Sequence, residues 1–186
     1  MTQSQLIQHI SAYDKYIKVV KLRSELKAQR FTLRELVDLT FYPDKPIAVK
    51  ASRLLETMLL KFPESYYTEI DYLIERVDDV KCHSCKRHYA KILMHLTSPE
   101  VPREVRNKMK ELNFERVVEL CFDWMIDPKM LISVKASASE TLFNLRHRYP
   151  WIAEELSKQL EYLMRDATPA LAARGNMILS YLHCED

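Results

Sequence analysis

Apolar residues recur at three- and four-residue spacing along most of the chain, which is the period of an α-helix. The clearest stripe follows Pro46 and consists of Val49, Leu54, Leu55, Met58 and Leu59. Prolines and short polar clusters separate the stripes, because a proline lacks the backbone N–H that a helix interior needs. The pattern therefore predicts an all-helical chain made of short, amphipathic elements.

The stripes and their breaks also predict where each helix lies. Thr32 is expected to cap the helix that begins at Leu33, since Glu35 completes a capping box. Pro46 suits the first turn of its helix, and Pro63 should end that helix. The helices are predicted over residues 3–12, 14–29, 33–40, 46–62, 65–76, 82–96, 103–110, 114–125, 132–149, 152–165 and 169–182. The first two ranges form either one interrupted helix or two consecutive helices.

Two of these helices begin with nearly the same six residues. Residues 47–52 read Ile-Ala-Val-Lys-Ala-Ser, and residues 132–137 read Ile-Ser-Val-Lys-Ala-Ser. Weaker copies of this start occur in two further helices. The basic residues at the equivalent positions are about 36 to 49 residues apart, which is the period of a two-helix repeat, and they are Lys50, Lys86, Lys135 and Arg174.

An aspartate precedes each of these basic residues by six to eight positions, and the four are Asp44, Asp79, Asp127 and Asp166. The spacing places each carboxylate in a turn and each cation one or two turns into the next helix. We expect the carboxylate to cap that helix and to accept hydrogen bonds from the base of the same or the next repeat. A catalytic site would occur once, so the recurrence of these pairs favours a structural role.

This arrangement resembles HEAT and armadillo-type repeats, whose units carry such an Asp in the turn and a Lys or Arg in the second helix. The resemblance implies an all-α, right-handed α-α superhelix of about four helix pairs over residues 31–182. Residues 1–30 would form an N-terminal helical cap, and residues 1–186 a single domain. Stacking of the pairs would supply the core, because a lone pair cannot bury its apolar faces.

A second resemblance covers roughly residues 46–182. The run Val-Val-Glu-Leu-Cys-Phe-Asp-Trp-Met-Ile at residues 117–126, followed by residues 134–136 and 140–142, looks like short bacterial helical-repeat proteins. These proteins occur mainly in Bacteroidetes and often carry the label adenylosuccinate lyase or adenylosuccinate lyase-related. Members of the lyase superfamily present a catalytic serine on a Ser-Ser-x-Met-Pro-x-Lys-x-Asn loop, whereas Ser98-Pro99 here lacks the Met, Lys and Asn. We therefore predict no catalytic residues and no lyase activity.

Composition narrows the functional classes further. The chain has 186 residues, a net charge of +2 and one glycine, Gly175, which argues against a Rossmann fold or a phosphate-binding loop. No stretch approaches the eighteen apolar residues of a membrane span. The N-terminus carries no apolar segment typical of a signal peptide, so a cytoplasmic protein with four reduced cysteines is expected.

The segment Cys82-His83-Ser84-Cys85 resembles one half of a zinc site. A structural zinc ion needs four ligands, and the sequence offers no second pair. Cys82 and Cys85 share an apolar stripe with Tyr89, so two buried thiols explain the segment without a metal. We predict no metal and no cofactor.

Basic residues without a neighbouring acid run from Lys81 to Lys91 and include His83 and His88. On the second helix of a central repeat, this run would line the concave surface of the superhelix. The binding candidates on that surface are Lys50, Arg53, Lys86, Arg87, Lys91, Lys135 and Arg174. The open alternative is an ordinary solvated helix face.

Three functions are compatible with these features. The first is a non-catalytic scaffold that binds a protein or peptide on the concave surface. The second is nucleic-acid binding, since Trp124 and Asp127 resemble the aromatic-and-Asp pocket of helical-repeat alkylation-repair glycosylases. The third is the lyase activity of the label. A membrane partner is not expected, and we prefer the first function.

Overall fold

The computed structural model describes residues 3–11 and 32–185, and its regular elements in these ranges are all helical. The α-helices are α1 (Gln3–Ser11), α2 (Leu33–Leu39), α3 (Lys45–Lys61), α4 (Ile70–Arg76), α5 (His83–Thr97), α6 (Arg103–Glu111), α7 (Glu115–Ile126), α8 (Ile132–Leu145), α9 (Trp151–Leu163) and α10 (Pro169–Glu185). Short 3₁₀ helices lie at Pro63–Ser65, Tyr67–Glu69, Val77–Asp79 and Met164–Asp166. The helix predicted over residues 14–29 lies outside the described residues.

Side-chain caps set the beginning of α2 and α3. The Thr32 hydroxyl accepts the backbone N–H of Glu35 at 3.2 Å, and the Glu35 carboxylate accepts the N–H of Thr32 at 2.8 Å. This is the predicted capping box, which is confirmed. The Asp44 carboxylate accepts the N–H of Ile47 at 3.3 Å at the start of α3. Capping by Asp44 is therefore also confirmed.

Two predicted helices are longer than the observed ones. The segment predicted as one helix over residues 65–76 begins with two 3₁₀ turns, and only Ile70–Arg76 is α-helical. The helix predicted over residues 132–149 ends at Leu145. It stops there because the residues that follow turn back toward other elements: the Tyr149 hydroxyl accepts the backbone N–H of Phe114 at 3.1 Å.

The chain divides into two compact units, residues 1–89 and 90–186, and the boundary falls within α5. In the first unit, α3 packs against α1 and α2, and α2 also contacts α4. Its described core is aliphatic with one large aromatic ring, and its fully buried members include Leu33, Leu36, Leu55, Leu59, Ile70, Leu73 and Tyr89. The Tyr89 hydroxyl lies 2.7 Å from the Thr40 hydroxyl, so the polar end of this ring is satisfied inside the core.

In the second unit, α8 packs against α7, α9 and α10, so α8 is the central helix. The core side chains come from all four of these helices and from Phe114, which precedes α7. Those on the helices include Val118, Cys121, Trp124, Met125, Leu142, Leu156, Leu160 and Ile178. The single glycine lies on α10, where a Cβ at Gly175 would stand 2.6 Å from the Met164 methyl carbon. A larger residue at this position would require the flexible Met164 side chain to move.

Candidate binding surfaces

The first unit contains four of the predicted basic residues. Arg53 and Arg87 are exposed, and Lys86 is half-buried. Lys50 is exposed, but its ammonium donates a hydrogen bond of 2.7 Å to the backbone carbonyl of Ser11. Lys50 therefore links α3 to α1, while the exposed Arg53 and Arg87 present their charge to solvent.

The prediction that Lys135 lies on the binding surface is wrong. Its side chain is buried, with the residue 9% exposed, and its ammonium donates a hydrogen bond of 2.8 Å to the carbonyl of Met125. Burial lowers the pKa of Lys135, and the negative charge of Asp127 partly opposes this effect. Lys135 thus satisfies a carbonyl in the last turn of α7 that has no partner within its own helix.

The helical register explains why Lys50 and Lys135 differ. In α3, Ala51 and Ser52 are buried and Lys50 points outward. In α8, the residues of the matching segment are displaced around the helix axis, so that Lys135 is buried and Ala136 is half-buried. The two nearly identical segments therefore present opposite faces to their cores.

None of the four aspartates forms a direct ion pair with the basic residue that follows it in its repeat. All eight residues of these predicted pairs lie in the part of the chain that the structure describes. Asp79 instead pairs with Arg76 at 2.5 Å, and Asp127 accepts the backbone N–H of Lys129 at 2.8 Å. Asp166 is exposed. Asp44 and Asp127 accept backbone N–H groups because a short aspartate side chain in a turn reaches the nearest N–H more easily than a cation two helical turns away. Asp79 reaches the arginine three residues before it.

Arg174 pairs with a carboxylate of α8 and not with Asp166, its predicted partner in the preceding turn. Its guanidinium lies 2.7 Å from the Glu140 carboxylate on α8, which joins α10 to α8. Lys91 is exposed and belongs to the second unit. The seven predicted residues are thus divided between the two units, and Lys135 is removed from the set.

The basic run of residues 81–91 has an acidic neighbour that the linear sequence does not reveal. His88 is buried, and its Nδ1 lies 2.6 Å from the Glu56 carboxylate of α3. This contact joins α3 to α5 within the first unit. His88 therefore belongs to the packing between helices, whereas Arg87 remains exposed.

The residues that suggested a zinc site or a base-excision pocket have other roles. Cys85 is buried and Cys82 is half-buried. Within residues 3–11 and 32–185, no group of three or more His, Cys, Asp or Glu side chains is placed to hold a metal ion. Trp124 is 2% exposed and belongs to the core, so a nucleobase cannot stack on its ring without repacking α7.

A cavity of about 590 Å³ in the second unit was not predicted from the sequence. Its lining residues are apolar, aromatic, neutral polar or basic, and none of them carries a carboxylate. They are Leu96, Thr97, Ser98, Pro99, Arg106, Met109, Lys110, Phe114, Phe143, Asn144, Leu145, Arg146, His147, Arg148 and Tyr181. We call this cavity the second-unit groove. It combines four formal positive charges with an apolar interior.

Arg148 is held in place at one end of the second-unit groove. Its guanidinium donates hydrogen bonds to the carbonyls of Met109, at 2.9 Å, and of Leu112. It also lies 5.5 Å from the ring centres of Phe114 and Tyr149. These contacts satisfy two carbonyls at the end of α6 and fix one positive charge beside the apolar interior.

The other end of the groove is aromatic. Phe143 and Tyr181 lie with their ring centres 5.9 Å apart, and Tyr181 is 56% exposed. The Arg146 guanidinium lies 3.8 Å from the Phe143 ring centre. The Asn144 amide donates hydrogen bonds to the carbonyl of Met94 at 3.3 Å and to the Thr97 hydroxyl at 3.2 Å, which fixes the end of α8.

A sequence signal for this groove exists but is weak. Residues 146–149 read Arg-His-Arg-Tyr, a dense basic and aromatic cluster directly after the apolar stripe of α8. Apolar periodicity and Pro150 predict only the end of a helix at this cluster. Only the fold brings it next to Lys110 and Tyr181, which are distant in the sequence.

Comparison with known proteins agrees with the helical architecture. A family model for the HEAT repeat domain matches residues 2–182. No curated protein and no solved structure matches the chain significantly. Among the described residues, no helix is both long enough and apolar enough to cross a membrane. The predicted all-α, HEAT-like fold class is therefore confirmed, and the chain belongs to the HEAT repeat domain family.

Proposed function

We propose that this protein is a non-catalytic interaction module that binds an acidic peptide segment of a partner protein in the second-unit groove. The observation that carries the proposal is the lining of that groove, which has Arg106, Lys110, Arg146 and Arg148 but no carboxylate. HEAT repeats provide extended helical surfaces suited to such contacts. The second-unit groove is therefore the proposed binding site for the protein or peptide partner.

The chemistry of the groove defines the ligand. An apolar or aromatic side chain would fill the space beside Phe143 and Leu145, where burial of apolar surface contributes most of the binding free energy. A carboxylate next to it would meet Lys110 at the rim. Arg148 is already hydrogen-bonded to two carbonyls. We therefore propose that its positive charge attracts the carboxylates of the ligand without binding one of them directly.

Basic residues of the first unit are a separate part of the proposal and do not belong to the groove. The exposed Arg53 and Arg87 and the half-buried Lys86 would attract an acidic partner to the first unit, because surface charge raises association rates more than it raises affinity. Lys50, which is hydrogen-bonded to Ser11, is a weaker contributor.

Nucleic-acid binding is the second candidate function. The exposed ring of Tyr181 next to arginines is the kind of surface on which an unpaired base stacks. The modest net charge of +2 favours the peptide, since proteins dedicated to nucleic acids usually carry a larger positive excess.

Fluorescence anisotropy with two labelled probes tests the proposal. One probe is a short peptide of Asp and Glu with a central Phe, and the other is a single-stranded oligothymidine of equal charge. We expect the peptide to bind more tightly, and we expect Lys110→Glu and Tyr181→Ala to weaken its binding about tenfold, as for hot-spot residues.

Matched controls come from the same unit. Lys129 and Tyr162 are exposed and do not line the groove, so Lys129→Glu and Tyr162→Ala should leave peptide affinity within about twofold, as for residues outside a hot spot. Equal losses in control and groove variants would contradict a defined site. Tighter binding of the oligothymidine would select the nucleic-acid function instead.

The proposal also includes the absence of lyase activity and a cytoplasmic location. We infer that purified protein releases no fumarate from adenylosuccinate above the level of a mock purification, because the Ser98-Pro99 segment lacks the residues of the lyase loop. We also place the protein in the cytoplasm, where its four cysteines would remain reduced.

A further inference from the structure

An exposed tryptophan ring marks another surface of the second unit. Trp151, the first residue of α9, is 53% exposed, and its ring stacks on Phe122 of α7 with the ring centres 5.7 Å apart. Ile126 lies one helical turn after Phe122 on the same side of α7 and is 57% exposed. We call these three side chains the aromatic face. Neighbouring apolar side chains that remain exposed on a folded protein mark a surface that a partner covers.

Two carboxylates lie beside the aromatic face. Asp123 is its neighbour on α7 and is exposed, and Glu155 lies one helical turn after Trp151 on α9. Neither carboxylate forms an ion pair in the part of the chain that the structure describes. Arg116 and Lys158 pair with other carboxylates of these helices, so they do not cancel the two charges. The aromatic face is therefore apolar at its centre and negative at its edge.

The aromatic face has the chemistry of the ligand proposed for the second-unit groove. The groove combines an apolar interior with basic side chains and has no carboxylate. The face combines an exposed aromatic ring with carboxylates, so the two surfaces have opposite charges and both have an apolar part. Trp151 is exposed and does not line the groove, so the face and the groove of one copy do not meet. A second copy of the chain brings the two surfaces together.

We infer that two copies of this chain associate through the aromatic face of one copy and the second-unit groove of the other. The inference rests on the proposed function, because it uses the same groove and the same ligand chemistry, and it names a second copy as a partner. Trp151 of one copy fills the apolar interior beside Phe143 of the other, as an aromatic anchor fills a pocket. The Asp123 and Glu155 carboxylates then face the basic side chains of the groove, which include Lys110.

The two contact surfaces are different, and this difference makes the contact testable. Each copy offers one aromatic face and one groove. A substitution that damages either surface removes every contact between identical copies. A mixture of two variants that are damaged at different surfaces still contains one intact face and one intact groove, so those variants should associate with each other.

Analytical ultracentrifugation of the full chain tests the inference. We expect the wild type to associate as its concentration rises, and we expect Lys110→Glu in the groove and Trp151→Ala in the face each to weaken association about tenfold or more, as for hot-spot residues. An equimolar mixture of the two variants should associate again. A mixture that stays monomeric where the wild type associates would overturn the inference, because the contact would then not join a face to a groove.

A surface pair of substitutions guards against loss of folding in Trp151→Ala. Asp123 and Asp166 are both exposed, and only Asp123 adjoins the aromatic face. Asp123→Lys should weaken association about tenfold, because it places a like charge opposite the basic groove, whereas Asp166→Lys should leave it within about twofold. Equal effects of the two charge reversals would contradict the contact, and far-UV circular dichroism should show that all variants are folded.

Peptide binding separates this inference from the proposed function. Trp151→Ala should bind the labelled acidic peptide at least as tightly as the wild type, since Trp151 does not line the groove and no second copy competes. An excess of the peptide should dissociate the wild-type assembly. A wild type that binds the peptide but stays monomeric at about 1 mM would overturn the inference and leave the proposed function intact. A wild type that associates as described but binds no free peptide would contradict the proposed function alone.

Discussion

His95 shows how one buried atom sets a dependence on pH. Its Nε2 is buried and has no hydrogen-bond partner among the described residues. Burial lowers the pKa of His95 below its ordinary value of 6.5, while the charge of Glu100 acts weakly in the opposite direction. The neutral imidazole is therefore the form that the folded protein accommodates.

We predict that acid destabilises the protein partly through this histidine. Below about pH 6.5 the unfolded chain binds a proton that the folded chain binds only at lower pH, so the free energy of unfolding falls as pH decreases through that window. His95→Leu should reduce the fall in the urea midpoint between about pH 7.5 and pH 5.5. A variant with the same pH dependence as the wild type would contradict the assignment to His95.

At the scale of the element, register decides the role of a residue. α3 and α8 contain nearly identical six-residue segments, yet Lys50 is exposed and Lys135 is buried against the carbonyl of Met125. Each helix turns its most apolar face toward its own neighbours, and α8 is surrounded by α7, α9 and α10. A local sequence match therefore does not ensure an equivalent environment.

A matched pair of substitutions measures this difference. Lys135→Met should lower the free energy of unfolding by about 1–3 kcal/mol, because the buried Met125 carbonyl loses a charged donor. Lys50→Met should change it by less than about 0.5 kcal/mol, as is usual at exposed positions. Urea denaturation of both variants provides the measurement, and equal losses would show that the register does not distinguish the two lysines.

Helix positions were largely predictable from apolar periodicity, and the exceptions have local causes. Proline and caps signal the limits of α3 clearly, so Asp44 and Pro63 were assigned correctly. The 3₁₀ turns that precede α4 and the early end of α8 were missed. Both depend on contacts with distant residues, such as that between Tyr149 and Phe114, which periodicity does not contain.

At the scale of the whole molecule, we propose that residues 1–186 form a single domain that unfolds cooperatively. Two compact units meet at residues 89 and 90, within one continuous helix, α5. Because helix formation is cooperative along a continuous helix, we propose that the two units unfold together.

The positions of the tryptophans make this proposal measurable. Trp124 and Trp151 both lie in the second unit, whereas far-UV circular dichroism reports on all helices. If the chain is one domain, urea unfolding followed by tryptophan fluorescence and by circular dichroism should give coincident transitions. Separate midpoints would show that the units unfold independently.

The sequence alone determined the secondary-structure class and the repeat family, because helical periodicity, caps and prolines act over a few neighbouring residues. It also indicated that Cys85 would be buried. Only the tertiary structure decided which charges remain accessible, which carboxylate pairs with Arg174 and where the second-unit groove lies. These features depend on side chains from helices that are distant in the chain, and their relative rotation follows from the packing of the complete core.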